Sequence, residues 1–329
     1  MHRNGMTAVD EASPMTGVIH LFAGQGDFAV TPLARLTRPG GPLRPAAQQV
    51  FEQVDRVAVE RGATPLAAWL FSARAPSGRD LTHAAVGTMQ LALFGASMTV
   101  HRALRGSYPE PEAVLGVSFG EIAALTAAGV YSVADGARLA HDLGRILTTC
   151  PGGMTVLTCP QQTAALLTAR PETRNLTVAC VNDDHETVVS GPVRELAALE
   201  GSAADKGVAA VRLRLPFSSH HPGLADQAEA FAAAARAYPA REPRIPVYSA
   251  VAGRAYTTAD DLPRMLADCL VRPAILPGVL RRAAAGHPHA FFEAGTGSAL
   301  SRSTLRVLAD RPVTVHAPLV EAGFPWPTR

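Results

Sequence analysis

The segment that most restricts the fold is residues 113–130, AVLGVSFGEIAALTAAGV. Three apolar residues, Ala113 to Leu115, run without a linker into Gly116-Val117-Ser118-Phe119-Gly120, and an alanine-rich stretch of helical length follows at once. A strand that bends so sharply into a helix needs small residues flanking the bend, where backbones pack closely. Such a bend lifts the Ser118 hydroxyl clear of the main chain, and the free N–H groups opening the next helix favour negative charge beside it. Ser118 is the candidate nucleophile.

The flanking pattern fits an α/β chain. Gly17 to Phe22 (GVIHLF) is a short buried strand ending in the glycine turn AGQGD, and Thr88 to Arg105 has helical spacing. Between Met154 and Arg214 the predicted order is strand (154–158), helix (160–170), strand (175–181), strand (186–191), helix (192–205), strand (208–215). That βαββαβ order is ferredoxin-like. A long helix to about Ala237, a strand at Ile245 to Ser249 and helices around 262–270 and 275–285 come next. The strand Ala290 to Glu293 then ends in a second glycine turn, AGTGSAL. The expectation is a large α/β-hydrolase-like subdomain, residues 17–153 and 215–329, interrupted by a ferredoxin-like subdomain, 154–214, with residues 1–16 as a flexible leader.

With 329 residues, 47% of them hydrophobic and 18% charged, the chain can bury a full core. A net charge of +2 argues against nucleic-acid binding. No run of apolar residues reaches membrane-spanning length. The four cysteines, Cys150, Cys159, Cys180 and Cys269, form no CxxC pair or metal-ligand spacing, which fits reduced core thiols in a cytoplasmic protein. Of 30 basic residues only Lys206 is lysine; this arginine bias matches the many Ala, Gly and Pro of a GC-rich genome.

A serine nucleophile needs a base. Downstream histidines are His141, His185, His220, His221, His287, His289 and His316. His220 stands out because Pro216 and Pro222 bracket it in a stiff turn after the last strand of the insert.

These segments together resemble the malonyl-CoA:acyl carrier protein transacylase family, which includes polyketide synthase acyltransferase domains. The resemblance is carried, in the family's order, by FAGQGD (22–27), GVSFGE (116–121), PGGM (151–154), VNDDHETVVSGP (181–192), SSH (218–220) and FFEAGTGSAL (291–300), and spans about residues 17–309. The 102 positions separating Ser118 from His220 also fit the family's inserted subdomain.

The resemblance implies that Ser118 is acylated and that His220 is its base, held by a backbone carbonyl near CLVRP (269–273), where Cys269 replaces the usual Asn or Gln. It implies an oxyanion hole made by the backbone N–H groups of Gln25 and Phe119. The implied substrate is an acyl-phosphopantetheine thioester, on an acyl carrier protein or on CoA, transferred by a ping-pong route with no bound cofactor and no metal. An acidic carrier protein makes Arg212, Arg214, Arg272, Arg281 and Arg282 candidates for its contact surface.

Two departures bear on the acyl group. Malonyl-type members place a carboxylate-binding arginine where this chain aligns Leu143, and Arg145, two residues on, points about 200° away around a helix. Val117 stands where the family usually has histidine, and Ser219 is small where malonyl-selective domains often carry phenylalanine. Val117, Leu143 and Ser219 are therefore the expected acyl-pocket residues. A malonyl carboxylate facing leucine would lose a charged partner worth about 1.5–3 kcal/mol.

The expected function is a trans-acting, monomeric acyltransferase moving a non-malonyl acyl group, such as an aminoacyl or peptidyl starter, since no ketosynthase or carrier segment is recognisable in the chain. Three alternatives stay open: a proofreading acyl hydrolase of the same fold, a conventional malonyl-CoA transacylase, and a non-catalytic scaffold that binds carrier proteins.

Overall fold

The computed structural model describes residues 17–26, 29–72 and 74–326; the leader 1–16 and Asp27 of the FAGQGD motif lie outside them. The strands are β1 (Val18–Phe22), β2 (Ala113–Gly116), β3 (Gly153–Leu157), β4 (Thr177–Asp183), β5 (Glu186–Gly191), β6 (Ala210–Arg212), β7 (Val247–Ser249), β8 (Arg254–Ala255), β9 (Ala274–Ile275), β10 (Ala290–Glu293) and β11 (Thr314–His316). The first seven α-helices are α1 (Val30–Leu36), α2 (Arg44–Glu60), α3 (Ala67–Leu70), α4 (Gly78–Thr82), α5 (Thr88–Arg105), α6 (Gly120–Ala127) and α7 (Val133–Leu147). They are followed by α8 (Gln161–Thr168), α9 (Val193–Ala204), α10 (Ala225–Ala235), α11 (Leu262–Val271), α12 (Leu276–Ala283) and α13 (Ala299–Val307).

Six strands form the larger sheet in the order β11-β10-β1-β2-β7-β8, parallel except at β8. A parallel strand covered by helices on both faces has no solvent side, so VIHLF is buried along its whole length. The chain builds from β1 outward through β2 and later returns to place β10 on β1's other side. That reversal is a topological switch point, and crevices for ligands open there, beyond the carboxyl ends of the strands. The loop after β1, the elbow after β2 and the glycine turn after β10 all leave the sheet at this end.

The smaller sheet has the order β6-β3-β5-β4-β9, and its first four strands are antiparallel. Strands β3 to β6 with α8 and α9 follow the βαββαβ order expected from the sequence. Two details differ. The strand expected over 208–215 narrows to β6, an edge strand of three residues, although Leu213 N–H still donates to the Met154 carbonyl. A fifth strand, β9, enters from the large subdomain and runs parallel to β4, tying the two subdomains together.

One face of the smaller sheet packs on α8 and α9 through Leu157, Val189, Leu167, Leu196 and Leu199. Its other face is turned toward the crevice. All four cysteines are buried and free, and burial pushes the Cys180 thiol up to about 12. Among the described residues no helix is long and apolar enough to cross a membrane.

Candidate active site

Gly116 and Gly120 are fixed by contact distances. A Cβ on Gly116 would lie 2.5 Å from the Glu121 Cα, and one on Gly120 would lie 2.1 Å from the Phe22 carbonyl oxygen. Between them Ser118 takes φ 56°, the left-handed region, which costs a side-chain-bearing residue roughly 1–2 kcal/mol. The bend is held from below by Glu121, which is completely buried in the first turn of α6. Its carboxyl accepts from Ser249 Oγ at 2.8 Å and from the Tyr256 hydroxyl, and burial raises its pKa to about 7 against these bonds.

His220 also has φ 56° and is 2% exposed. Its Nδ1 lies 2.6 Å from the Arg272 carbonyl oxygen and its Nε2 lies 2.8 Å from Ser118 Oγ. A carbonyl can only accept, so Nδ1 carries the proton and Nε2 presents a lone pair to the Ser118 hydroxyl. Burial lowers the imidazole to about 4, partly opposed by the bond to Arg272, so the ring is neutral near pH 7. The turn is pinned to the end of α11: Ser219 Oγ donates to the Cys269 carbonyl at 3.0 Å and His221 N–H donates to the Leu270 carbonyl at 2.8 Å. These contacts use backbone carbonyls, so the cysteine at position 269 is compatible with them.

Gln25 follows β1 at the rim of the same crevice. Its Oε1 accepts from Gln90 Nε2 at 2.7 Å, across from α5. Among the described residues the backbone N–H groups of Gln25 and Phe119 donate no hydrogen bond. Two free donors beside a nucleophile are what a developing oxyanion requires. Gln90 was not expected from the sequence; its signal is one buried amide within the apolar run TMQLALF.

Ser118 and His220 open into a cavity of about 300 Å³. Strand alternation explains its floor, because residues two apart point to one face. Here β3 supplies Met154 and Val156, β4 supplies Cys180 and Asn182, and β5 supplies Glu186 and Val188. Leu213, Leu215 and Phe217 continue the apolar wall beyond β6.

Val117 and Ser219 line this cavity. Leu143 does not, which corrects its expected place in the acyl pocket: it is 2% exposed within the main core, on the buried stripe of α7 with Leu139 and Ile146. An apolar side chain on that stripe is drawn into the packing with neighbouring helices rather than left at a cavity wall. Arg145 points to solvent. Phe119 is core, with its backbone at the elbow.

None of the five candidate carrier-contact arginines lines the cavity, whereas Arg302 of α13 does. Arg212 is occupied by Glu200 at 2.7 Å and Arg272 by Asp268 at 3.2 Å, while Arg214, Arg281 and Arg282 are exposed. Among the described residues no cluster of His, Cys, Asp and Glu is arranged to hold a metal.

Comparison with known proteins gives the family and the fold. The family model described as acyl transferase domain matches residues 43–320. The erythronolide synthase EryA3 of Saccharopolyspora erythraea is 35% identical over 170 residues, which are 51% of this chain and 5% of that one. The spectinabilin polyketide synthase system protein NorB of Streptomyces orinoci is 29% identical over 267 residues, 75% of this chain and 12% of that one. The chain thus spans only a small part of the curated relatives it matches.

Among solved structures, the acyltransferase domain from module 8 of the salinomycin polyketide synthase superposes with a TM-score of 0.78 at 23% identity, covering 91% of this chain and 70% of that one. The malonyl-CoA:acyl carrier protein transacylase of Xanthomonas oryzae gives 0.77 at 23% identity, covering 92% and 94%. The elbow, the inserted subdomain and the match over residues 43–320 lead to one assignment: this chain belongs to the acyl transferase domain family.

Proposed function

We propose that this chain transfers an acyl group without a free carboxylate from a phosphopantetheine thioester, on a carrier protein or CoA, to a carrier-protein thiol through an acyl-Ser118 intermediate. The observation that carries this reading is the 2.8 Å contact between Ser118 Oγ and the unprotonated Nε2 of His220 at the mouth of a cavity floored by aliphatic side chains.

In the first half-reaction Ser118 Oγ attacks the thioester carbonyl while its proton passes to His220 Nε2. The resulting oxyanion is held by the N–H groups of Gln25 and Phe119. The C–S bond breaks, and the departing thiolate takes the proton from His220. The acceptor thiol then repeats these steps in reverse, restoring Ser118. The Arg272 carbonyl steadies the imidazolium that forms in each half-reaction.

Malonyl selectivity is disfavoured in this reading because the strands of the cavity floor supply one charged side chain, the Glu186 carboxylate, and Arg302, the cationic residue of the lining, is engaged with Ser298 Oγ.

Intact-mass analysis after exposure to acyl- and malonyl-loaded carrier proteins and CoA thioesters tests the proposal. Stable acylation at Ser118 by monoacyl donors, with transfer to a carrier thiol, is the expected result. Efficient malonylation overturns the selectivity, and rapid release of free acid without an acceptor assigns the chain as a hydrolase.

A further inference from the structure

Two polar side chains interrupt the aliphatic floor of the cavity, and they touch each other. Asn182 Nδ2 donates to Glu186 Oε1 at 2.7 Å across the β4–β5 hairpin. A carboxylate can only accept, so this contact fixes the amide orientation and leaves the Asn182 Oδ1 as an acceptor. Among the described residues neither that oxygen nor Glu186 Oε2 has a hydrogen-bond partner. The pair therefore offers two acceptors and one negative charge to whatever fills the cavity.

No arginine neutralises this charge. Glu186 takes part in no salt bridge within the described residues, and Arg302, the cationic residue of the lining, donates instead to Ser298 Oγ at 2.8 Å. A half-buried carboxylate beside aliphatic side chains is poorly solvated, and a saturated acyl chain laid against it supplies nothing in return. A protonated amine does: it brings three donors and the opposite charge, and charge-assisted bonds are about twice as strong as neutral ones. The aliphatic walls at Val156, Val188 and Leu215 would cover the carbons joining that amine to the thioester.

We propose that Asn182 and Glu186 read a protonated amine on the acyl group, making aminoacyl thioesters, a basic amine on an aliphatic chain, the preferred substrates. This rests on Ser118 as the acyl acceptor, and the experiment separates the two. Pantetheine thioesters are used in isosteric pairs, β-alanyl with butyryl and ε-aminocaproyl with heptanoyl, so that each pair differs by an ammonium in place of a methyl. The readout is kcat/KM for acylation of Ser118 by intact mass, in the natural chain and in Glu186→Gln.

The expected result is a preference of at least roughly tenfold for the amine in one pair, a difference of about 1.4 kcal/mol. Glu186→Gln should shrink that preference to within about twofold, through a fall in kcat/KM for the amine member that the alkyl member does not share, and continued acylation by the alkyl member reports that the variant is folded. Equal or faster acylation by the alkyl members overturns the proposal while leaving acyl-Ser118 intact. An equal loss for both members in Glu186→Gln also overturns it, since the carboxylate would then serve the pantetheine arm or the fold. No acylation by any probe overturns the acyl-Ser118 reading and this inference with it.

Discussion

Ser118 and His220 share one backbone strain and one hydrogen bond: both sit at φ 56°, and Nε2 of the histidine meets Oγ of the serine at 2.8 Å. Among the described residues only His287 also combines a side chain with positive φ. Strain of this kind persists where the surroundings over-determine it. Here Gly116 and Gly120 fix one partner and the end of α11 fixes the other, so both side chains are held before any substrate arrives.

Removing either side chain should abolish acyl transfer. Ser118→Ala and His220→Ala should each lower kcat by about 10³ or more, as when one member of a coupled nucleophile–base pair is lost. The pH dependence is more diagnostic. Because burial lowers His220 to about 4, the rate of Ser118 acylation should stay flat from neutral pH down to about 5 and fall only near 4. An acid limb centred at the ordinary histidine value of about 6.5 would show that the ring is far better solvated than its burial implies. Pre-steady-state acylation across this range makes the measurement.

The Arg272 side chain should matter little. The contact to His220 uses its backbone carbonyl, and the guanidinium turns away to Asp268. Arg272→Ala should therefore keep kcat within about threefold and leave the acid limb in place, because the Arg272 guanidinium is exposed and the buried Asp268 carboxylate keeps Arg264 within 3.7 Å. A shift of that limb would show that the side chain positions the carbonyl.

Gln90→Ala should slow catalysis without touching substrate. It removes the donor that holds Gln25 Oε1 and frees the loop that carries the backbone N–H proposed for the oxyanion hole. Gln25 is half-buried, so losing this hydrogen bond costs about 0.5–1.5 kcal/mol, which predicts a fall in kcat of roughly 2- to 13-fold with KM nearly unchanged. A rise in KM alone would place Gln90 in substrate binding instead.

What the sequence displayed and what it hid follow from the range of the forces involved. The elbow at 116–120 was legible because close backbone approach admits only glycine, and that requirement is local. The smaller subdomain was legible because each strand alternates and each helix has its own apolar stripe. Leu143 was misplaced because an alignment gives a position along α7 but not which packing surface the side chain joins. The strands β9 and β11 span two and three residues and owe their existence to pairing with β4 and β10. Glu186 and Asn182 lie within VNDDHETVVSGP, yet their contact depends on the β4–β5 register, which the motif by itself does not display.

Acid should destabilise the fold well before its carboxylates protonate. Burial lowers His20 to about 3, holds His101 well below its usual value and lowers His220 to about 4. From about pH 6.5 down to about 5 the unfolded chain therefore gains up to three protons that the native state refuses, and stability drops as pH drops. Glu121 acts in the opposite sense. Raised to about 7, it keeps its proton in the native state after the unfolded chain has released it, so its contribution falls as pH rises toward 7. The balance of two protons predicts a stability slope of at most roughly 3 kcal/mol per pH unit between about 5 and 6. Urea unfolding at half-unit pH steps measures it. Glu121→Gln should steepen the slope by about one proton and His20→Leu should flatten it by one, whatever either does to absolute stability. A slope that ignores both substitutions would mean that these buried groups titrate alike in the folded and unfolded chain.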